Sequence, residues 1–160
     1  MELIVLVGLQ GSGKTTFFRE RFAATHEHVS KDNFRNNARP ARRQRQLIVE
    51  AFAAGRSLVV DNTNPTVAER AELVALGRAA GAAVLCCFFP PDLEGSLRRN
   101  ALREGKARVP DHAVRITAAR LEPPTPAEGF DRLFHVRPVE GGGFEVIEAT
   151  NATGGDDATG

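Results

Sequence analysis

The chain reads as short, continuous apolar runs separated by stretches with helical periodicity. Leu3 to Val7 is apolar without interruption and stops at Gly8, the pattern of a buried parallel strand rather than of an amphipathic helix. A helix is predicted from Gly13 or Lys14 to Ala24, then a brief second strand over His28 to Ser30. Pro40 suits a first helical position, where its missing N–H costs nothing. Leu47, Ile48, Ala51 and Phe52 then recur at helical spacing until Gly55. Ser57 to Val60 is a third strand with Asp61 at its C-terminal end. A helix opening at Asn64 or Pro65 and running to Ala80 follows, with Val67, Ala71, Val74 and Ala75 on its predicted apolar face and Gly81 as its cap. Ala82 to Phe89 is a fourth strand, stopped by Pro90 and Pro91. Asp92 to Arg103 and Asp111 to Leu121 read as two more helices, divided by the break from Gly105 to Pro110 and closed by Pro123 and Pro124. Arg132 to Val136 and Phe144 to Ile147 are the last predicted strands, the second an antiparallel edge joined through Glu140 to Gly143. Strands alternating with helices predict an α/β fold: an open, mostly parallel sheet with helices on both faces.

At 160 residues the chain has room for one domain and one active site. The domain is expected over residues 1–148. Residues 149–160 hold little beyond Ala, Thr, Gly, Asn and Asp and are expected to form a disordered tail. The first apolar run is too short for a membrane segment and lacks a basic leader, so a cytoplasmic protein with no membrane contact is expected. Cys86 and Cys87 are adjacent in an apolar run, where a strand sends them to opposite faces; they read as core thiols rather than a disulfide or a metal site. The formal net charge is +1, but residues 138–160 carry five acidic groups and no Lys or Arg. Residues 1–137 therefore hold 21 basic against 15 acidic groups, a net of +6, which suits a polyanionic ligand.

The strongest chemical signal is Gly8-Leu-Gln-Gly-Ser-Gly-Lys14-Thr15, which fits G-x-x-x-x-G-K-[ST] and lies between a predicted strand and a predicted helix, where such a loop must lie. Gly8, Gly11 and Gly13 let successive N–H groups turn inward around phosphates, with Ser12 and Thr16 completing the cradle. Lys14 supplies a point charge for the β and γ oxygens, and the Thr15 hydroxyl is placed to hold Mg²⁺. ATP and Mg²⁺ are the expected cofactors. A guanine-reading Asn-Lys-x-Asp loop is missing from the sequence, which argues against a GTPase, and motor ATPases generally need a larger domain.

Ligands of open parallel sheets bind at the C-terminal ends of the strands, and the remaining polar outliers fall there. Asp32 and Arg35 follow the second strand: the carboxylate can take the proton of an attacking hydroxyl, and the arginine can fork onto an acceptor phosphate. A local salt bridge is the competing reading. Asp61 follows the third strand, suited to ordering Mg²⁺ or holding a lid arginine, and Asn64 reads either as a substrate contact or as a helix cap. Arg99 and Arg103, four apart, are predicted to share a helix face and act as lid arginines on the transferring phosphoryl group, unless that face is simply solvated. Arg39, Arg42, Arg43 and Arg45 suit the phosphates of a longer acceptor or an ordinary charged surface, and Phe34 suits a base stack or the core.

Five motifs occur together: the phosphate loop, Ser-x-Asp32-x-x-Arg35, Val60-Asp61-Asn-Thr-Asn64-Pro, Arg99-Asn100-x-x-Arg103 and Glu122-Pro-Pro-Thr-Pro-Ala-Glu-Gly-Phe130. In this order and spacing, over Met1 to Phe134, the chain resembles the kinase domain of the 5'-hydroxyl polynucleotide kinases of phage and animal type. The resemblance implies phosphorylation of a DNA or RNA 5'-OH by ATP. It matches Asp32 to the general base, Arg35 to the residue binding the phosphate 3' of the acceptor nucleotide, Lys14 and Thr15 to the nucleotide and Mg²⁺ ligands, Arg103 to a lid arginine and Asp61 to the acceptor side. Relatives often carry a fused phosphatase or ligase, so in nucleic acid repair a separate protein is expected to supply those steps. Two other readings stay open: a P-loop kinase acting on a sugar, antibiotic or nucleoside, and an ATP-binding module that transfers nothing. DNA versus RNA, nucleoside triphosphate preference and oligomeric state are not fixed by the sequence.

Overall fold

The continuous apolar runs become strands because each is buried on both faces. In a computed structural model that describes residues 1–34 and 36–149, β1 (Glu2–Val7) lies in the middle of a six-stranded sheet with its last five residues buried. Around it come β2 (Glu27–Val29), β3 (Leu58–Asp61), β4 (Ala83–Phe88), β5 (Arg132–Pro138) and β6 (Phe144–Glu148), in the spatial order β2-β3-β1-β4-β5-β6. All neighbouring pairs are parallel except the edge pair β5 and β6. The helices are α1 (Lys14–Arg21), α2 (Pro40–Ala53), α3 (Val67–Ala79), α4 (Leu93–Ala101) and α5 (Asp111–Arg120), joined by 3-10 turns at Lys31–Phe34, Gly105–Ala107 and Pro126–Glu128. The α/β architecture expected from the pattern is present. None of these helices is long and apolar enough to cross a membrane.

Alternation along β1 divides the core. Leu3, Val5 and Val7 pack with Ile48 and Phe52 of α2 and Leu73 and Val74 of α3, whereas Ile4 and Leu6 pack with Phe17 and Phe18 of α1. Each such side chain, fully buried, contributes about 1.5–3 kcal/mol. Cys86 and Cys87 fall on opposite faces, both buried as free thiols whose pKa values burial pushes up, that of Cys87 to about 12.

The sequence pattern misplaces parts of three helices, the simplest case being α1, which ends at Arg21 rather than Ala24. α3 begins at Val67, with Thr66 as its N-cap accepting the Glu69 N–H at 3.2 Å. Asn64 is not the cap. It adopts a left-handed φ of 45°, tolerated by asparagine, while its Nδ2 donates to Leu6 O at 2.8 Å and its carbonyl accepts from Arg70. The buried face of α3 is Arg70, Leu73, Val74 and Gly77; Ala71, Ala75 and Val67 are exposed. Burial of a paired arginine turns the helix away from the face its alanines suggest. α4 ends at Ala101 rather than Arg103, because the fully buried Asn100 bonds both the N–H and the carbonyl of Val109 and folds the chain back.

Glu148 belongs to β6 and pairs with Arg132, and Ala149 donates its N–H to Leu133 O and packs against the core. The rest of the expected tail, residues 150–160, lies outside the described residues.

Candidate active site

Strand register brings the polar loops together. Asp61 lies beside Leu6, two residues before the phosphate loop, and Val29 lies beside Val60, so the chain leaving β2 runs alongside Asp61. The loop from β3 to α3 fastens this edge: Gly8 donates its N–H to Thr63 O at 3.1 Å, and Asn64 holds Leu6 O.

The phosphate loop is built for close approach. Gly11 has φ +76°, and a Cβ there would lie 2.6 Å from Ser96 O; Gly13, at φ +99°, is the N-cap of α1 and offers no capping side chain to the N–H groups that follow. Those unpaired donors and the helix dipole make the N-terminus of α1 an anion seat. Lys14 curls back over the loop, its Nζ donating to Gly8 O at 3.0 Å and Leu9 O at 2.7 Å. Burial lowers its pKa from 10.5 to about 8; Asp61 and Asp32 oppose that shift and Arg103 adds to it.

The unfolded chain therefore holds this proton more tightly than the folded one. The stabilising difference is present above pH 10.5 and is lost as pH falls through about 8. Without nucleotide, stability is expected to rise by an amount of order 3 kcal/mol across that window, and Lys14→Met is expected to abolish the slope. Denaturant midpoints of both proteins at pH 7 and about pH 9.5, between which about 2 kcal/mol of that rise falls, check it.

Beside the loop, Thr15 Oγ1 donates to Asp61 Oδ2 at 2.7 Å, and His28 Nε2 lies 2.8 Å from the same oxygen. Burial alone would raise the Asp61 pKa, but the His28 hydrogen bond, the Lys14 charge and the Thr15 hydrogen bond together hold it below the usual value. The hydroxyl and carboxylate form a hard-oxygen donor pair beside the phosphate seat, the kind of partial ligand set that Mg²⁺ takes while keeping water and phosphate oxygens. His28, stacked on Phe18 with ring centroids 4.4 Å apart, is a site residue that sequence reasoning missed. Its only signal was its place two residues before Ser30 on a very short strand.

A cleft of about 260 Å³ opens between this cradle and the turn that follows β2. Lys14, Thr15, Asp61 and Asn64 line one part of it, Lys31 and Asp32 another, and Arg103 a third. Arg35 lies outside the described residues. Arg99 and Arg103 are not the expected pair: with α4 ending at Ala101, Arg103 turns into this cleft, while Arg99 donates from Nε to Gly11 O and lines a second cleft of about 380 Å³ on the far side of the loop with Ser12 and Ser96. Gly8 and Ser12 are buried within the loop, and Thr16 is exposed on α1. Among the described residues, two buried side-chain oxygens have no hydrogen-bond partner: Gln10 Oε1 and Ser96 Oγ, in residues that line the first and the second cleft respectively.

A family model described as an AAA domain matches residues 3–124, a span that includes the phosphate loop, Asp32, Asp61 and Arg103. The chain belongs to the AAA domain family. A bifunctional polynucleotide phosphatase/kinase of Schizosaccharomyces pombe is 26% identical to this AAA domain over 139 residues, 84% of the chain, and the chain spans only 33% of that relative's length. A fungal RNA kinase superposes on 88% of this AAA domain, and on 40% of its own chain, with a TM-score of 0.66 and 18% identity. A gluconokinase from Sinorhizobium meliloti 1021 superposes on 85% of the chain and 82% of its own, with a TM-score of 0.60 and 21% identity. The chain is thus a P-loop kinase-like, nucleotide-binding domain, and its likeness to polynucleotide kinases rests on sequence as well as fold.

Proposed function

We propose that this chain is an ATP-dependent kinase that phosphorylates the 5'-hydroxyl end of a polynucleotide, DNA or RNA. The observation supporting it best is that the turn carrying Asp32 and the phosphate cradle wall one cleft, with Arg103 also facing into it. In this reading the loop amides of Gly11 to Thr16 and Lys14 bind the triphosphate, and Thr15 and Asp61 hold Mg²⁺. Mg²⁺ held by these two residues would offset negative charge on the triphosphate. Asp32 takes the proton of the acceptor hydroxyl as that oxygen bonds to the γ phosphorus and the bond from phosphorus to the ADP oxygen breaks. Arg103 offsets charge on the transferring group. Arg35 holds the acceptor phosphate, Asn64 forms part of the acceptor wall, and Arg99 acts from the donor side.

Transfer of label from ATP to 5'-hydroxyl oligonucleotides, set against a panel of sugars, antibiotics and nucleosides, tests the proposal. Labelled oligonucleotide ends are expected. Label found only on a small molecule would overturn the polynucleotide acceptor, the alternative in keeping with the gluconokinase likeness. Nucleotide binding without transfer to any acceptor would overturn the kinase reading itself.

Arg39 and Arg42 are exposed and Arg43 half-buried along α2, which begins shortly after the Asp32 turn; Arg45 is committed to an ion pair with Glu72 on α3. The first three suit the phosphates of an acceptor strand. Acceptor affinity is expected to fall steeply with salt, and each of these arginines that touches a phosphate should reduce the log–log slope by about 0.7–0.9 when replaced by alanine. Oligonucleotide binding measured across a salt series in wild type and Arg42→Ala checks this, and a flat wild-type response would count against a long acceptor.

A further inference from the structure

Asp32 rides on the 3-10 turn Lys31–Phe34, which has no buried side chain of its own. Hydrogen bonds at its start fix its first residues. Ser30, 3% exposed, accepts the Asp32 N–H on Oγ at 3.3 Å and the Asn33 N–H on its carbonyl at 3.0 Å. The first residue of the turn is held by a different group: Lys31 N–H donates to Asn62 Oδ1 at 2.9 Å. The other end of that amide, Asn62 Nδ2, donates to Gln44 Oε1 at 2.6 Å, and Gln44 is buried on α2. Asn62 directly follows Asp61, so one peptide bond joins the carboxylate under Thr15 to the amide that holds the turn.

Resting on the kinase reading above, we propose that Asn62, braced by Gln44, is the positioning residue that sets Asp32 against the phosphate cradle. The chemistry calls for an amide, because one side chain must accept from Lys31 and donate to Gln44 at once. Aspartate would keep the acceptor, lose the donor and add a third carboxylate beside Asp32 and Asp61. Alanine would release the Lys31 N–H, with the Ser30 bonds to the Asp32 and Asn33 N–H groups still in place. A proton acceptor displaced by about 1 Å costs on the order of 100-fold in rate.

The experiment is a double-mutant cycle on the full chain with Asn62→Ala, Asp32→Asn and both together. It uses labelled ATP and whichever acceptor the wild type labels best in the panel above. Asn62→Ala is expected to lower kcat about 10- to 100-fold, to change the acceptor KM and nucleotide affinity less than about 3-fold, and to add less than about 3-fold in the Asp32→Asn background. Gln44→Met, lacking the acceptor oxygen, should lower kcat in the same direction, and Gln44→Glu, which keeps it but adds a buried carboxylate, should lower it less than Gln44→Met. The Gln44 pair decides the question if Asn62→Ala does not fold. Equal losses in both backgrounds, an effect confined to KM, or wild-type activity of Gln44→Met would overturn the role of Asn62 and leave the kinase reading standing. Full transfer by Asp32→Asn would overturn the roles of Asp32 and Asn62 together, and no transfer to any acceptor by the wild type would overturn the kinase reading as well.

Discussion

Asp32→Asn is expected to lower phosphoryl transfer by about 10²- to 10⁴-fold, the usual contribution of a positioned general base, with nucleotide affinity unchanged. Asparagine keeps the shape of the side chain and removes its negative charge and its capacity to take a proton. The residues that seat the nucleotide are elsewhere: Lys14 is fixed by Gly8 O and Leu9 O, and Thr15 by Asp61. Asp32 also ranks behind burial, Asp61 and Arg103 in its influence on Lys14. A loss in kcat with KM and nucleotide affinity intact marks a group used only in the transition state. Single-turnover transfer and nucleotide titration on the same preparation separate the two quantities. Lys14→Ala should damage both, and a domain that binds nucleotide without transferring it would show no change on replacing Asp32.

The parts of the site that the sequence made legible are those fixed by strand ends. Gly8 to Thr15 follows a run that only a central strand could accommodate, and Asp61 and Asp32 each follow a run that ends at the same sheet edge. What stayed hidden depends on contacts between distant segments. His28 meets Asp61 only because β2 pairs with β3, and Asn62 meets Gln44 only because α2 packs back on that edge. Arg99 and Arg103 were predicted to share a face because helical spacing assumes an unbroken helix, whereas Asn100 ends it by bonding Val109. Arg70 was hidden for a different reason: in an amphipathic pattern an arginine counts as exposed, yet this one is the largest fully buried side chain.

Arg70→Met is expected to destabilise the fold by about 3–5 kcal/mol, the cost of leaving one member of a buried ion pair without its partner. The Arg70 guanidinium forks onto Glu128 at 2.8 and 3.1 Å and donates to Asn64 O and Glu122 O, each at 2.9 Å. The Glu128 side chain, 6% exposed, also accepts the Thr125 N–H, so Arg70 ties the loop from Glu122 to Glu128 to the turn at Asn64, beside the Glu122 bonds to Pro65 O and the Val67 N–H. Methionine fills much of the volume but leaves a buried carboxylate unpaired and two carbonyls without their donor. A loss of this size is a large part of the 5–15 kcal/mol typical of domains, and in a chain of this length it should lower Tm by roughly 6–20 °C. Replacing both partners, Arg70→Met with Glu128→Leu, should recover part of the loss, because no buried charge is then left unpaired although Asn64 O, Glu122 O and the Thr125 N–H still lose their partners. Thermal and urea unfolding of the single and double variants measure this. Since Arg70 acts through the Asn64 turn and lies outside the cleft, the folded fraction of Arg70→Met should bind nucleotide with wild-type affinity. A stable variant with weakened nucleotide binding would instead place Arg70 in the binding machinery.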